Sequence, residues 1–193
     1  LGLDLIYIAI PCKNKDLKTV VNSLRKINCK GLNITIPFKQ KVFNVCSEVS
    51  PLAQKIKAIN TLKPLNEKNW SGINTDIYGF IYPLKNLNLA KKTSIIIGSG
   101  GSSRSAIQGL IDLKLSKITI ISRNKNSLKK IVSDFKDDIQ IEGVLNTNKE
   151  VDNLIQETDL IVNTTPVGMN KTINFFICIQ HTFYFDVVFK ISY

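Results

Sequence analysis

The spacing of apolar positions changes several times along the 193 residues. LIYIAI, residues 5–10, reads as a strand, and residues 15–27 then carry Leu17, Val20, Val21, Leu24 and Ile27 at helical spacing. A second strand covers 32–36, the LNITI that stops at Pro37. Strand, helix of about 13 residues and strand make a βαβ unit, whose crossover length predicts that 5–10 and 32–36 lie parallel in one sheet. Shorter helices are expected over 38–46 and 52–57. AINTLKPL and WSGIN read as two strands joined by the polar turn 66–69. Residues 75–88 start a helix but contain Gly79 and Pro83, and a polar connection follows, so a boundary is expected at 86–92.

Beyond that boundary the alternation is cleaner. Residues 93–97, 117–121, 139–144, 160–162 and 183–188 are strand-like, with helical periods between the earlier ones. The expected fold class is α/β, with an N-terminal α/β domain over 1–86 followed by a Rossmann-like doubly wound domain over 87–193.

Composition adds exclusions. No run of about 18 apolar residues and no charged-then-apolar leader occurs, so neither a membrane span nor a signal peptide is expected, and the cytoplasm is the expected location. Cys12, Cys29, Cys46 and Cys178 stand singly with no CxxC pair, which argues against a zinc site and a disulfide framework. The net charge of +11 would suit a polyanion, but the lysines are dispersed and only Arg25, Arg104 and Arg123 are arginines. Solvated faces explain that pattern, and no nucleic-acid partner is expected; an anionic small ligand stays open. The chain starts on Leu1, has Met169 as its only methionine, and ends soon after the apolar run FYFDVVF, so it is read as a fragment cut at both ends.

The chemistry concentrates in SIIIGSGGSSRSAI, where three isoleucines lead into Gly98, Gly100 and Gly101 and then a helix predicted over 102–113. Glycines there let the backbone approach a pyrophosphate, and the unpaired amides and dipole of the helix start favour its charge. Ser103 stands where the usual GxGxxG has its third glycine, so the motif by itself also fits a structural turn. An NAD site usually presents Asp or Glu about 20 residues further on. Here ITIISRNKN offers Ser122, Arg123, Asn124 and Lys125, which suit the 2′-phosphate of NADP. In the first half Lys39 follows its strand by three residues and Asp76 lies in NTD; each also reads as an ordinary residue of a helix start. His181, the only histidine, lies outside every motif.

GLNITIPFK, AINTL, GINTDIYGF, GSGGSSR, ISRN and VNTTPVGM occur in this order, and together they resemble the shikimate dehydrogenase family over nearly all of the chain. The resemblance implies a two-domain enzyme of the chorismate and aromatic amino acid pathway, which reduces 3-dehydroshikimate to shikimate reversibly with NADPH between a substrate-binding domain and an NADP-binding domain. It implies that Lys39 and Asp76 are catalytic and that Thr35 and Asn60 join them in binding substrate. Gly98, Gly100, Gly101, Ser102 and Arg104 would lie at the pyrophosphate turn, Ser122, Arg123 and Asn124 at the adenosine end, and Asn163, Thr164, Thr165 and Met169 near the ribose and nicotinamide. A lysine paired with an aspartate suits this chemistry, because hydride transfer at a carbinol carbon needs a proton to leave or reach the oxygen. The partners implied are a small-molecule substrate and, at most, a second copy of the chain. The family's first strand, with its paired serines, and its C-terminal helical part, with a substrate-contacting glutamine, have no counterpart here; Phe189 and Ile191 stand where it has tyrosine and proline. A quinate or mixed quinate/shikimate dehydrogenase, which could use NAD, and a non-catalytic dinucleotide-binding remnant are the rival readings.

Overall fold

The computed structural model describes residues 4–167 and the backbone of two short strands beyond them. In the first half, a short 3-10 turn leads into α1 (Leu17–Lys26), which is followed by β1 (Leu32–Asn33), β2 (Glu48–Val49), α2 (Pro51–Ile56), β3 (Thr61–Pro64), β4 (Trp70–Ile73) and α3 (Asp76–Ile81). The second half runs β5 (Thr93–Ile97), α4 (Gly101–Asp112), β6 (Lys117–Ser122), α5 (Lys125–Phe135), β7 (Gln140–Leu145), α6 (Val151–Glu157), β8 (Leu160–Asn163), β9 (Ile177–Ile179) and β10 (Phe183–Phe185).

Two sheets result. The first has the order β1-β3-β4-β2, and the second β10-β9-β8-β5-β6-β7. In the second, β5 pairs in parallel with β6 and β8, and β6 with β7; α4 joins β5 to β6, α5 joins β6 to β7, and α6 carries the chain from β7 back to β8 on the other side of β5. This is the α/β alternation that the isoleucine-rich runs predict, because strands covered on both faces are apolar throughout. The predicted strand 183–188 is described over Phe183–Phe185, where it runs antiparallel to β9; only three residues separate the two, too few for a parallel crossover.

The predicted βαβ unit at the start does not form. Residues 5–10 have no regular structure, Ile6 is 91% exposed, and β1 is two residues long and antiparallel to β3. Alternating apolar residues hold a strand only when a neighbouring strand completes the ladder, and the described residues offer 5–10 none; one bond, Tyr7 Oη to Asn33 Oδ1 at 3.1 Å, ties them down. The helix expected at 38–46 is a 3-10 turn over Val42–Val45. The turn between β3 and β4 forms as expected, with Asn66 Oδ1 accepting the amides of Lys68 and Asn69.

Two apolar clusters hold these layers. Leu17, Val21, Ile34, Val42, Ala53, Ile59, Leu62 and Trp70 form the first, closed by the indole N–H donating to the Val21 carbonyl at 3.0 Å. The second gathers around β5 and β6 but also takes in Ile56, Ala58, Ile77 and Phe80 from the first half. The join is tight at α3 and α4, where a Cβ on Gly109 would lie 2.6 Å from Phe80. Helix starts from both halves are thereby held side by side, and the candidate site lies there.

Candidate active site

At the end of β5 the backbone turns at Gly98, whose φ of +116° favours glycine and whose added Cβ would meet Thr164 Oγ1 at 2.6 Å. Gly101 is small for another reason: a Cβ there would lie 2.8 Å from Lys39 Cβ, so the glycine turn is packed directly against the lysine. Gly100 faces open space, with no heavy atom within 4 Å of its notional Cβ. Ser103, fully buried, fills the third glycine position as a link. Its hydroxyl accepts from the Gly100 amide at 3.1 Å and meets Thr164 Oγ1 at 2.7 Å; Thr164 in turn donates to the Ile97 carbonyl at 2.8 Å.

The turn opens on a cavity of about 650 Å³. Lys39, Lys41 and Arg123 line it, and among the described residues no Asp or Glu does. Gly98, Gly100, Gly101 and Ser102 form one wall, Ser122, Arg123 and Asn124 another, and Asn163, Thr164 and Thr165 a third. Asn124 caps α5, its Oδ1 accepting from the amides of Asn126 and Ser127 at 3.0 Å, while Arg123 remains exposed. Ser99 Oγ lies 2.8 Å from Ser122 Oγ and 2.7 Å from Ser127 Oγ, a hydroxyl cluster drawn from the turn after β5, the end of β6 and the start of α5. Asn163 Oδ1 accepts from the Thr165 amide and hydroxyl at 3.0 and 2.7 Å, which fixes the loop after β8. Met169 lies outside the described residues, as do His181, Phe189 and Ile191.

Lys39 is 8% exposed, and its Nζ donates to Asp76 Oδ2 at 2.8 Å and to Ser102 Oγ at 3.0 Å. Asp76 starts α3, and its other oxygen accepts from Asn60 Nδ2 at 2.6 Å. Asn60 also bonds Thr75 on both sides of its amide, so in this geometry it orients the aspartate. The Asp76 amide donates to Asn74 Oδ1 at 3.0 Å, and Asn74 is anchored on the Ala58 carbonyl, also at 3.0 Å. Thr35 is exposed on the loop before Lys39 and does not line the cavity.

Arg104 is the exception among the expected cofactor residues. Its guanidinium points away from the cavity, is 1% exposed, donates to the Ile56 carbonyl at 3.1 Å, and pairs with Asp134 at 2.5 Å beneath the Phe135 ring. Two residues along a helix turn the side chain by about 200°, which carries Arg104 to the face opposite Ser102. Burial alone would raise the Asp134 pKa, but hydrogen bonds and charge from Lys57 and Arg104 outweigh it and hold the carboxyl below its ordinary value. The sequence carries no signal for Ser127, Gln40, Lys41 and Asn74, because what places them is contact between distant segments. Ser99 sat in the glycine motif, where its alternation with Gly98 and Gly100 was the available signal. Among the described residues no cluster of three or more His, Cys, Asp or Glu could hold a metal ion, and no helix is long and apolar enough to cross a membrane.

Comparison with known proteins agrees with this arrangement. Residues 1–62 match the family model described as shikimate dehydrogenase substrate binding domain, and residues 83–172 the one described as shikimate / quinate 5-dehydrogenase. The NADP(+) shikimate dehydrogenase of Prochlorococcus marinus strain MIT 9515 is 76% identical over 172 residues, which are 89% of this chain and 60% of that protein. The crystal structure of the Aquifex aeolicus shikimate dehydrogenase superposes with a TM-score of 0.77 at 31% identity, over 89% of this chain and 61% of the other. A shikimate dehydrogenase solved in complex with NADP+ gives 0.74 at 26% identity, over 90% and 61%. The chain spans about 60% of the length of the curated relatives it matches. With both halves matched in order, and the cavity and paired Lys39 built from the motifs that carry the likeness, the chain belongs to the shikimate dehydrogenase family.

Proposed function

We propose that this chain carries the cofactor cleft and the acid–base pair of an NADP-dependent shikimate dehydrogenase, which interconverts 3-dehydroshikimate and shikimate. One observation carries the reading: the buried Lys39–Asp76 pair abuts the glycine turn of a cavity that, among the described residues, is lined by cations and no carboxylate. On this reading residues 1–86 are the substrate-binding half and 87–193 the nucleotide-binding half.

The lining fits a dinucleotide. Gly100 leaves room against the backbone, and the first amides of α4 have no partner within the helix, so they are available to a pyrophosphate. Ser122, Arg123 and Asn124 would hold the 2′-phosphate, and Asn163, Thr164 and Thr165 the ribose next to the nicotinamide, with Met169 beyond them. When bound, the nicotinamide supplies or takes the hydride. Lys39 Nζ gives a proton to the substrate oxygen during reduction and takes it back during oxidation. Asp76, fixed by Asn60 and Asn74, holds the amine in place, and Thr35 is left for the substrate. A cytoplasmic location and a homodimer belong to this reading, the latter checked by sedimentation.

The test is in two stages. The chain should bind NADPH more tightly than NADH in a fluorescence titration. A chimera completing residues 4–167 with the remaining segments of the Prochlorococcus relative should form NADPH from NADP+ and shikimate. A chimera that binds NADPH but oxidises quinate and not shikimate would replace the proposal with its nearest rival.

A further inference from the structure

An ammonium group has three protons to donate. Lys39 commits one to Asp76 in its own half and one to Ser102 across the cleft, at 2.8 and 3.0 Å, which leaves one. Ser102 is the second residue of α4 and is not needed to cap it: Ser103 takes the Gly100 amide, and the cap position itself is Gly100. The lysine stem is pressed onto the same turn, with a Cβ on Gly101 excluded at 2.8 Å from Lys39 Cβ, so this contact is built in along the length of the side chain. Ser102 also lines the cavity.

We infer that Ser102 is a positioning residue for Lys39. With Asp76 it fixes the rotation of the amine, so that a single position of Nζ is left to address the substrate oxygen. A hydroxyl accepts and donates at once, so Ser102 can hold Lys39 and give its own proton to an anion in the cavity. The acid–base lysine is thereby tied to the turn that would hold the dinucleotide. The inference rests on the role proposed above for Lys39, and its first readout is independent of turnover.

That readout is the rate at which an amine-reactive anhydride labels Lys39 in the 193-residue chain, followed by peptide mass spectrometry with the exposed Lys129 and Lys130 as internal standards. Ser102→Ala should speed labelling of Lys39 about fivefold to tenfold and leave the standards unchanged, the scale of one hydrogen bond to a charged group. Ser102→Thr, which keeps the hydroxyl, should return it to within about twofold of the parent. In the chimera Ser102→Ala should lower kcat about tenfold, with a smaller change in the KM for NADPH, and Ser102→Thr should rescue it. Unchanged labelling of Lys39 in Ser102→Ala overturns the inference. So does slower turnover without faster labelling, which would make Ser102 a cofactor contact only. Faster labelling in a chimera whose parent lacks all turnover would sustain the contact and remove the proposed reaction instead.

Discussion

Helix α4 presents two faces with a buried cation on each, and the two are used differently. Lys39 and Arg104 are the buried basic side chains among the described residues, and each is paired with an aspartate. Lys39 lines the cavity, shares its protons between two partners and keeps one. Arg104 is closed in by Asp134, the Ile56 carbonyl and the Phe135 ring, with its Nε left unpaired. A compact ammonium on a flexible stem can exchange partners, whereas a planar guanidinium clamped in the core is fixed by them. Nearness to a glycine motif in the sequence therefore does not make a cation a cofactor ligand; the phase of the helix decides.

The largest expected effect separates the two faces by chemistry. In the completed chimera Lys39→Ala should lower kcat by roughly 10² to 10⁴, the range for a lost acid–base group, with NADPH affinity changed only slightly. Nearly intact turnover would reduce Lys39 to the same structural status as Arg104. The reverse experiment is Arg104→Met, which removes one partner of a buried pair and should cost about 3 kcal/mol, near the lower end for such a loss because Lys57 still pairs with Asp134. Urea unfolding measures it. A variant of undiminished stability that has lost NADPH would return Arg104 to the cofactor turn.

How far the sequence carried these assignments differs between the same two regions. β5 and β6 were legible to within a residue, because runs such as Ile95, Ile96 and Ile97 suit only a strand covered on both faces. Lys39 and Asp76 stand out only through the resemblance, since each alone reads as an ordinary helix-start residue, and the fold brings the two within 2.8 Å. Residues 5–10 carry an equally apolar run and form no strand, since pairing is a property of two segments and the pattern of one cannot report it. Arg104 departs from the place the resemblance implies because helix phase, and not order along the motif, aims a side chain: it lies about 200° around the helix from Ser102. The Ser99, Ser122 and Ser127 cluster was hidden for a simpler reason, as its members belong to three separate segments that only the folded sheet brings within 2.8 Å.

A smaller effect sharpens the comparison at the cavity. Arg123 is the exposed arginine on the lining, so Arg123→Ala should narrow the preference for NADPH over NADH by about tenfold, the scale of one charge-assisted bond, with stability unchanged. Equal losses for both cofactors would mean that Arg123 does not read the 2′-phosphate.

The remaining effect lies on the closed face and depends on pH. Asp134 has its folded-state pKa lowered below the ordinary 3.8, so the folded protein favours its carboxylate more than the unfolded chain does. Its contribution is present above the ordinary value and is lost as pH falls through the lower folded value, because protonation then removes the charge facing Arg104 and Lys57. Asp134→Asn should therefore be less stable than the parent near neutral pH, and the gap should close as pH drops below about 4. Asp159 and Glu142 also have lowered pKa values, but both proteins retain them, so their acid limbs cancel in the difference. Urea midpoints measured from pH 6 down to pH 3 supply the comparison. A gap that stays constant over that range would mean the asparagine variant suffers from altered packing, and that the charge on Asp134 does not hold Arg104 on its side of α4.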